Sequence, residues 1–261
     1  MINRNTEKKR TSGISIAINN STFDIQNNHN NQPNYKLKVA NNLQLKSDAY
    51  QLAYKCYVEK GYLDKAHNQN REYHISHDKI KDTIIFSVYQ DNHIAGTMTL
   101  VFDDKLPIPS SVLFSSQLNK FRSKRSRLAE VTRLTIDKRF RNSKKILSLL
   151  IDSMMSYCHF NNKADGLICE VHPHHSKFYI NLLGFSTISD VKPCPLVNGS
   201  LAVCLYMPLS NYLNQIKNKS KSKYKYYKDF RRIGDAKAHA DFLKTQHNEE
   251  LGVSIPEILF S

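Results

Sequence analysis

Two β-rich runs, Thr83 to Gln90 and Ile94 to Phe102, are separated only by Asp91-Asn92-His93. Ile84, Ile85, Phe86, Val88 and Tyr89 fill the first run, and Gly96 lies inside the second. A polar link this short between two such runs predicts an antiparallel hairpin. A lone hairpin is marginal in water, so the rest of the chain must widen it into a sheet and cover it. Leu128 to Ile136 reads as a third strand, with Glu130 and Arg133 embedded in it. Ser143 to Phe160 reads as a helix, because Leu147, Leu150, Ile151, Met154 and Cys158 recur at helical spacing. Gly166 to Val171 is a fourth strand. His175 to Leu183 is a short helix with Gly184 just past its end. Ser186 to Val191 and Leu201 to Met207 are two more strands, joined through Asn198-Gly199.

Ahead of the hairpin, Ser47 is placed to cap a helix whose apolar stripe is Ala49, Leu52, Ala53, Cys56 and Tyr57, with Gly61 at its end. Residues 103 to 126 are polar, are broken by Pro107 and Pro109, and read as a loop. The expected fold is α/β: a mixed, mostly antiparallel sheet with helices on both faces.

Domain limits follow from composition. Residues 1 to 40, rich in Asn, Ser and Lys, read as a flexible polar segment, and residues 41 to 211 as the folded domain. Residues 212 to 261 read as a basic tail, partly helical. From Lys217 to Lys237 that tail holds nine Lys and Arg against Asp229 and Asp235. Five scattered cysteines without a CxxC pair fit reduced thiols in a cytosol-like compartment. No run approaches the roughly 20 apolar residues of a membrane-spanning helix, and the polar N-terminus does not read as a signal peptide. The expected location is therefore cytoplasmic, with peripheral membrane contact through the basic tail. A formal charge of +15 favours acidic partners. Nucleic acid is the weaker choice: the run Lys223-Tyr224-Lys225-Tyr226-Tyr227-Lys228 suits a single strand, but no nucleic-acid module is recognisable.

The run Glu170-Val171-His172-Pro173-His174-His175-Ser176-Lys177-Phe178-Tyr179-Ile180-Asn181-Leu182-Leu183-Gly184-Phe185 resembles a segment of the N-acyl amino acid synthases of the FeeM type. Pro195-Leu196-Val197-Asn198-Gly199 resembles that family's P-x-V-N-G hairpin. Glu130-Val131-Thr132-Arg133-Leu134 resembles its E-x-x-R-L strand, and a similar E-x-S-R motif occurs in acyl-homoserine lactone synthases. The resemblance covers about residues 40 to 210. It implies a GNAT-like acyltransferase fold and transfer of a long acyl chain from the phosphopantetheine thioester of acyl carrier protein to the α-amine of an amino acid. Acyl-CoA is the alternative donor. No tightly bound cofactor is implied. Other acceptors, such as a homoserine lactone precursor, a polyamine or a protein lysine, remain alternatives.

Such chemistry needs a neutral amine, a donor to the oxyanion and a proton for the leaving thiolate. Glu130 is the candidate general base, against a reading as a structural partner of Arg133 or Arg127. Arg133 is a candidate for a substrate carboxylate or phosphate. Being three apart, Glu130 and Arg133 face opposite sides of a regular strand, so a direct pair would need a bulge. Tyr179 stands where many GNAT enzymes place a tyrosine general acid, but with one extra residue before Gly184. Its alternative is a core aromatic, and Phe178 beside it is a candidate substrate contact. His175 is expected to cap or orient the helix, with a catalytic share as second reading. The H-x-H-H spacing lacks a metal-ligand partner set, so no metal is expected. The stretch Arg139-Phe140-Arg141-Asn142-Ser143-Lys144-Lys145 has no glycine with which to cradle a CoA pyrophosphate. Eleven Lys and Arg lie between Gln117 and Lys145, against Glu130 and Asp137. From these, Arg122, Arg125, Arg139, Arg141, Lys144 and Lys145 are the candidate contacts to the carrier protein or its phosphopantetheine.

Overall fold

The computed structural model describes residues 14–19, 22–27, 34–65, 69–211 and 233–249. Ten strands are present among them: β1 (Ile14–Asn19), β2 (Thr22–Asn27), β3 (Tyr35–Val39), β4 (Ile84–Gln90), β5 (His93–Phe102), β6 (Leu128–Ile136), β7 (Gly166–Val171), β8 (Ser186–Thr187), β9 (Lys192–Cys194) and β10 (Ser200–Pro208). Their order is β1-β2-β3-β4-β5-β6-β7-β10-β8, with β9 paired to β10. Every pairing is antiparallel except β6 with β7. The expected mixed, mostly antiparallel sheet is present.

The helices are α1 (Leu43–Glu59), α2 (Ser111–Arg122), α3 (Lys144–Phe160), α4 (Pro173–Phe178) and α5 (Ile233–Glu249). Alternation along the strands sorts them onto two faces. Leu37, Phe86, Met98, Leu100, Ala129 and Leu167 join the core beneath α3. Val101, Leu128 and Ile168 point the other way, onto Phe114 and Leu118 of α2, while Ile85 meets Ala49 and Tyr50 of α1. Helix α3 is buried on both sides, because α5 lies across its outer surface, where Ser153 Oγ and His239 Nε2 are 3.0 Å apart. Burial lowers the His239 imidazole to about 3.

Several elements differ from the sequence reading. Part of the segment expected to be flexible forms strands; Tyr35, Leu37 and Val39 alternate into the core while Lys36 and Lys38 face outward. Helix α1 starts earlier than Ser47: Asn42 is its cap, accepting the Leu45 N–H at 3.0 Å. The predicted loop 103–126 contains α2, whose Phe114 and Leu118 recur at helical spacing and are fully buried. Only Ser186–Thr187 of the strand expected at 186–191 forms. The turn at Asn198-Gly199 is as expected, both residues having positive φ (53° and 70°). The basic run Lys217 to Arg232 lies outside the described residues.

Candidate active site

Strands β6 and β7 run parallel but pair only over Leu128 to Glu130. Beyond Glu130 they part, and β7 follows β10 instead. The parting leaves one edge of β6 from Val131 onward without a strand neighbour, so its amides and carbonyls face an opening. That opening is a cavity of about 430 Å³, lined by Val131 to Ile136 and Cys169 to Val171. Tyr57 near the end of α1 and Lys60 and Tyr62 just past it also line the cavity. So do His172, His175, Phe178 and Tyr179, with Leu147 and Arg141. The size suits a ligand site, and an exposed strand edge beside apolar side chains suits an extended chain bearing amides.

The strand bulges inside the opening. Thr97 pairs Thr135 and Thr99 pairs Thr132, so Arg133 and Leu134 together oppose Met98. Arg133 has φ 52°. This bulge turns the Arg133 side chain toward α1, not toward Glu130. Its guanidinium donates to Asp78 Oδ1 at 2.6 Å and Oδ2 at 3.0 Å, to Tyr73 O at 3.0 Å and to Thr99 Oγ1 at 3.1 Å. It also lies 5.0 Å from the centre of the Tyr50 ring. Arg133 thus reaches the cavity wall with most of its donors committed to the protein.

Glu130 is 2% exposed and does not line the cavity. Its Oε2 accepts the Ser110 N–H at 2.8 Å. Burial and the neighbouring Glu170 carboxylate push the Glu130 carboxyl up to about 8, against the Ser110 hydrogen bond. Glu170 does line the cavity, two residues past the register partner of Glu130 and on the same sheet face. Burial raises it too, opposed by the nearby Cys194 and Ser110 side chains. Sequence reasoning passed over Glu170 because nothing in the local pattern shows that β6 and β7 part beside it.

Tyr179 is buried, and burial, then Cys169 beside it, raises its hydroxyl far above the ordinary range. It opens a single π turn, Tyr179–Leu183, closed by the Gly184 N–H donating to Tyr179 O. The π turn absorbs the one extra residue before Gly184, whose φ of 84° ends the element, and Tyr179 still faces the cavity. His172, not His175, caps α4: its side chain accepts the His174 N–H at 3.2 Å. His175 lines the cavity, where burial and then His172, Lys60 and His174 lower its imidazole. No cluster of three or more metal-ligating side chains occurs among the described residues.

The six basic candidates do not form one rim. Arg122 and Arg125 precede β6, and the other four follow it, at the far end of a nine-residue strand about 26 Å long. Arg122 is tied into the α2 corner, donating to Asp103 at 2.7 and 2.8 Å, Ser111 Oγ at 2.7 Å and Asn119 Oδ1 at 3.1 Å. Arg125 is exposed. Arg139 pairs with Asp137 at 3.1 Å, whose other oxygen takes Lys55 at 2.9 Å. Burial alone would raise Asp137; hydrogen bonds from Arg139 and Lys55 hold it well below the usual carboxylate range. Asp137 also accepts the Arg139 N–H at 2.9 Å, so that backbone donor is already used within the chain. Arg141 lies at the cavity, 3.3 Å from Glu59, and Lys144 and Lys145 open α3.

The family model described as N-acyl amino acid synthase FeeM matches residues 48–208. The chain belongs to the FeeM family. It is therefore an N-acyltransferase, and the parting of β6 and β7 is the candidate acyl-transfer site of a FeeM-family fold. No curated protein matches the sequence. Among solved structures, FeeM itself, an N-acyl amino acid synthase from uncultured soil microbes, aligns with TM-score 0.59 at 19% identity, over 70% of this chain and 96% of that one. The acyl-homoserine lactone synthase LasI gives 0.53 at 14%, over 69% and 92%. BjaI, a CoA-dependent acyl-homoserine lactone synthase, gives 0.54 at 14%, over 78% and 97%. At these identities the likeness is one of fold. The FeeM-family match leaves out β1 to β3 and α5, which extend the sheet and cover α3.

Proposed function

We propose that this FeeM-family enzyme takes a long-chain fatty acyl group from the phosphopantetheine thioester of acyl carrier protein and places it on the α-amine of an amino acid. The observation that carries the reading is the basic chemistry beside the cavity. Arg141 lines the cavity, and Lys144 and Lys145 follow it at the start of α3, in a stretch without a glycine cradle and with Asp137 already on the Arg139 amide. Side-chain charge of this kind suits a single phosphodiester carried by an acidic protein better than it suits a pyrophosphate. The interior fits the rest of the donor: a free strand edge for the amides of the pantetheine arm, and Val131, Leu134, Leu147 and Phe178 for the acyl chain. The reading places catalysis in the cytoplasm. It also assigns the basic run after Asn211 to an anionic membrane surface, where an acylated product would partition.

Charge reversal at these three residues tests the donor. Arg141→Glu, Lys144→Glu and Lys145→Glu combined should lower kcat/KM for acyl carrier protein about 10- to 100-fold, the scale of electrostatic steering. With a short pantetheine thioester the change should stay near 2-fold, and the variant's carrier-protein defect should shrink as salt rises, because screening removes the wild type's steering advantage. Equal losses on both donors would remove the docking assignment.

A further inference from the structure

We propose that Glu170 is the proton acceptor for the attacking amine, with Glu130 as its buried positioning partner. The inference deepens the function proposed above, resting on amine acylation but not on which donor is used.

Geometry carries it. Glu170 is the carboxylate that lines the cavity among the described residues, and it stands where β7 leaves β6. An amine approaching a thioester laid along the free edge of β6 must pass between β6 and β7, beside this side chain. Glu130 lies on the same sheet face but behind the wall, held by the Ser110 N–H. The Ser110 side chain lies close to Glu170 as well, as does Cys194, and its Oγ is buried without a hydrogen-bond partner. Two carboxyl groups in one buried setting do not both ionise readily. The one against the cavity can exchange protons with substrate; the one behind it cannot. The groups facing Glu170 from neighbouring elements are Glu130 of β6, Cys194 at the end of β9, Cys204 of β10 and Tyr73. Arg133 is not its counter-charge, being paired with Asp78.

The step balances. The amine's electron pair forms the C–N bond to the thioester carbonyl, and one N–H proton passes to the Glu170 carboxylate. The tetrahedral intermediate then collapses: the C–S bond breaks with its electron pair leaving on sulfur. The thiolate takes up the proton that Glu170 holds, giving amide and thiol.

The test compares wild type, Glu170→Gln, Glu170→Asp and Glu130→Gln with a short pantetheine thioester and saturating amine, from pH 6 to 10. Glu170→Gln should lower kcat at pH 7 about 100-fold or more, the lower end of the range for a general base. Its residual rate should climb with pH until the amine itself loses its proton. Glu170→Asp should keep the wild-type acid limb at reduced kcat. Glu130→Gln should leave that limb in place, because Glu130 keeps its proton there, and should remove any change in kcat near pH 8, where Glu130 itself ionises. A folded Glu170→Gln enzyme within about 3-fold of wild type at pH 7, with an unshifted limb, would overturn the assignment, as would loss of the limb in Glu170→Asp. Turnover with the mimic but none with acyl carrier protein would instead overturn the donor reading and leave this comparison standing.

Discussion

Glu130→Gln should melt at higher temperature than the wild type at pH 8, and the gap should close as the pH falls toward 5. The carboxyl titrates at about 8 when folded, against an ordinary 4.5. Between those values the folded chain keeps a proton that the unfolded chain has released. Stability contributed by this group is therefore fully present below about pH 4.5 and is lost as the pH rises toward 8. The loss is up to about 1.4 kcal/mol for each pH unit inside that window. Glutamine cannot ionise and still offers a carbonyl oxygen to the Ser110 N–H. The variant should thus lack this pH dependence, which thermal melts in a pH series would show directly. Parallel curves for the two proteins would mean that Glu130 is solvated and ordinary, and would remove the pairing with Glu170. Diverging curves would show a wild-type glutamate that lowers stability where function needs it, a pattern common at active sites.

The second large effect is at Asp78. Asp78→Ala leaves the Arg133 guanidinium, 2% exposed, without its counter-ion. Breaking a buried pair from one side typically costs about 3–5 kcal/mol. The position accepts more than that pair: the Ile75 N–H donates to Asp78 Oδ2 at 2.9 Å, and burial with the Asp78 charge raises the Tyr50 hydroxyl above its ordinary range. Urea denaturation should show a loss of that size, and transfer should fall with it, because Arg133 fixes the bulge that forms the cavity floor. Replacing both partners together, Asp78→Leu with Arg133→Met, should recover stability but not activity. A loss under about 1 kcal/mol in Asp78→Ala would show that water reaches Arg133 readily.

Much of this molecule was legible from spacing. Leu128 to Ile136 is a strand as its pattern predicts, Gly184 ends its helix in the left-handed region, and the pattern of α3 is seen in its buried face. What failed has particular causes. Tyr35, Leu37 and Val39 alternate at strand period, but over five residues beside an Asn-rich segment the signal is easily overlooked. Helix α2 follows two prolines whose breaking effect ends at Ser110, one residue before the helix begins. The site was legible as a set of residues and not as an arrangement. Arg122 finds Asp103 19 residues away and Arg133 finds Asp78 55 residues away. No local pattern announces such partners. Glu130 and Glu170 both stand in recognisable motifs. Which one meets substrate depends on where two strands stop pairing, and that is a tertiary fact.

The most direct measurement is of bond formation. Purified protein is given acyl carrier protein charged with a long-chain acyl group, or the matching acyl-CoA in parallel, together with an equimolar mixture of amino acids, and products are resolved by mass spectrometry. The predicted result is an N-acyl amino acid formed faster from the carrier protein than from CoA, and absent without the protein. Amide formed only from acyl-CoA, or only on an acceptor without an α-amino acid, would contradict the proposal.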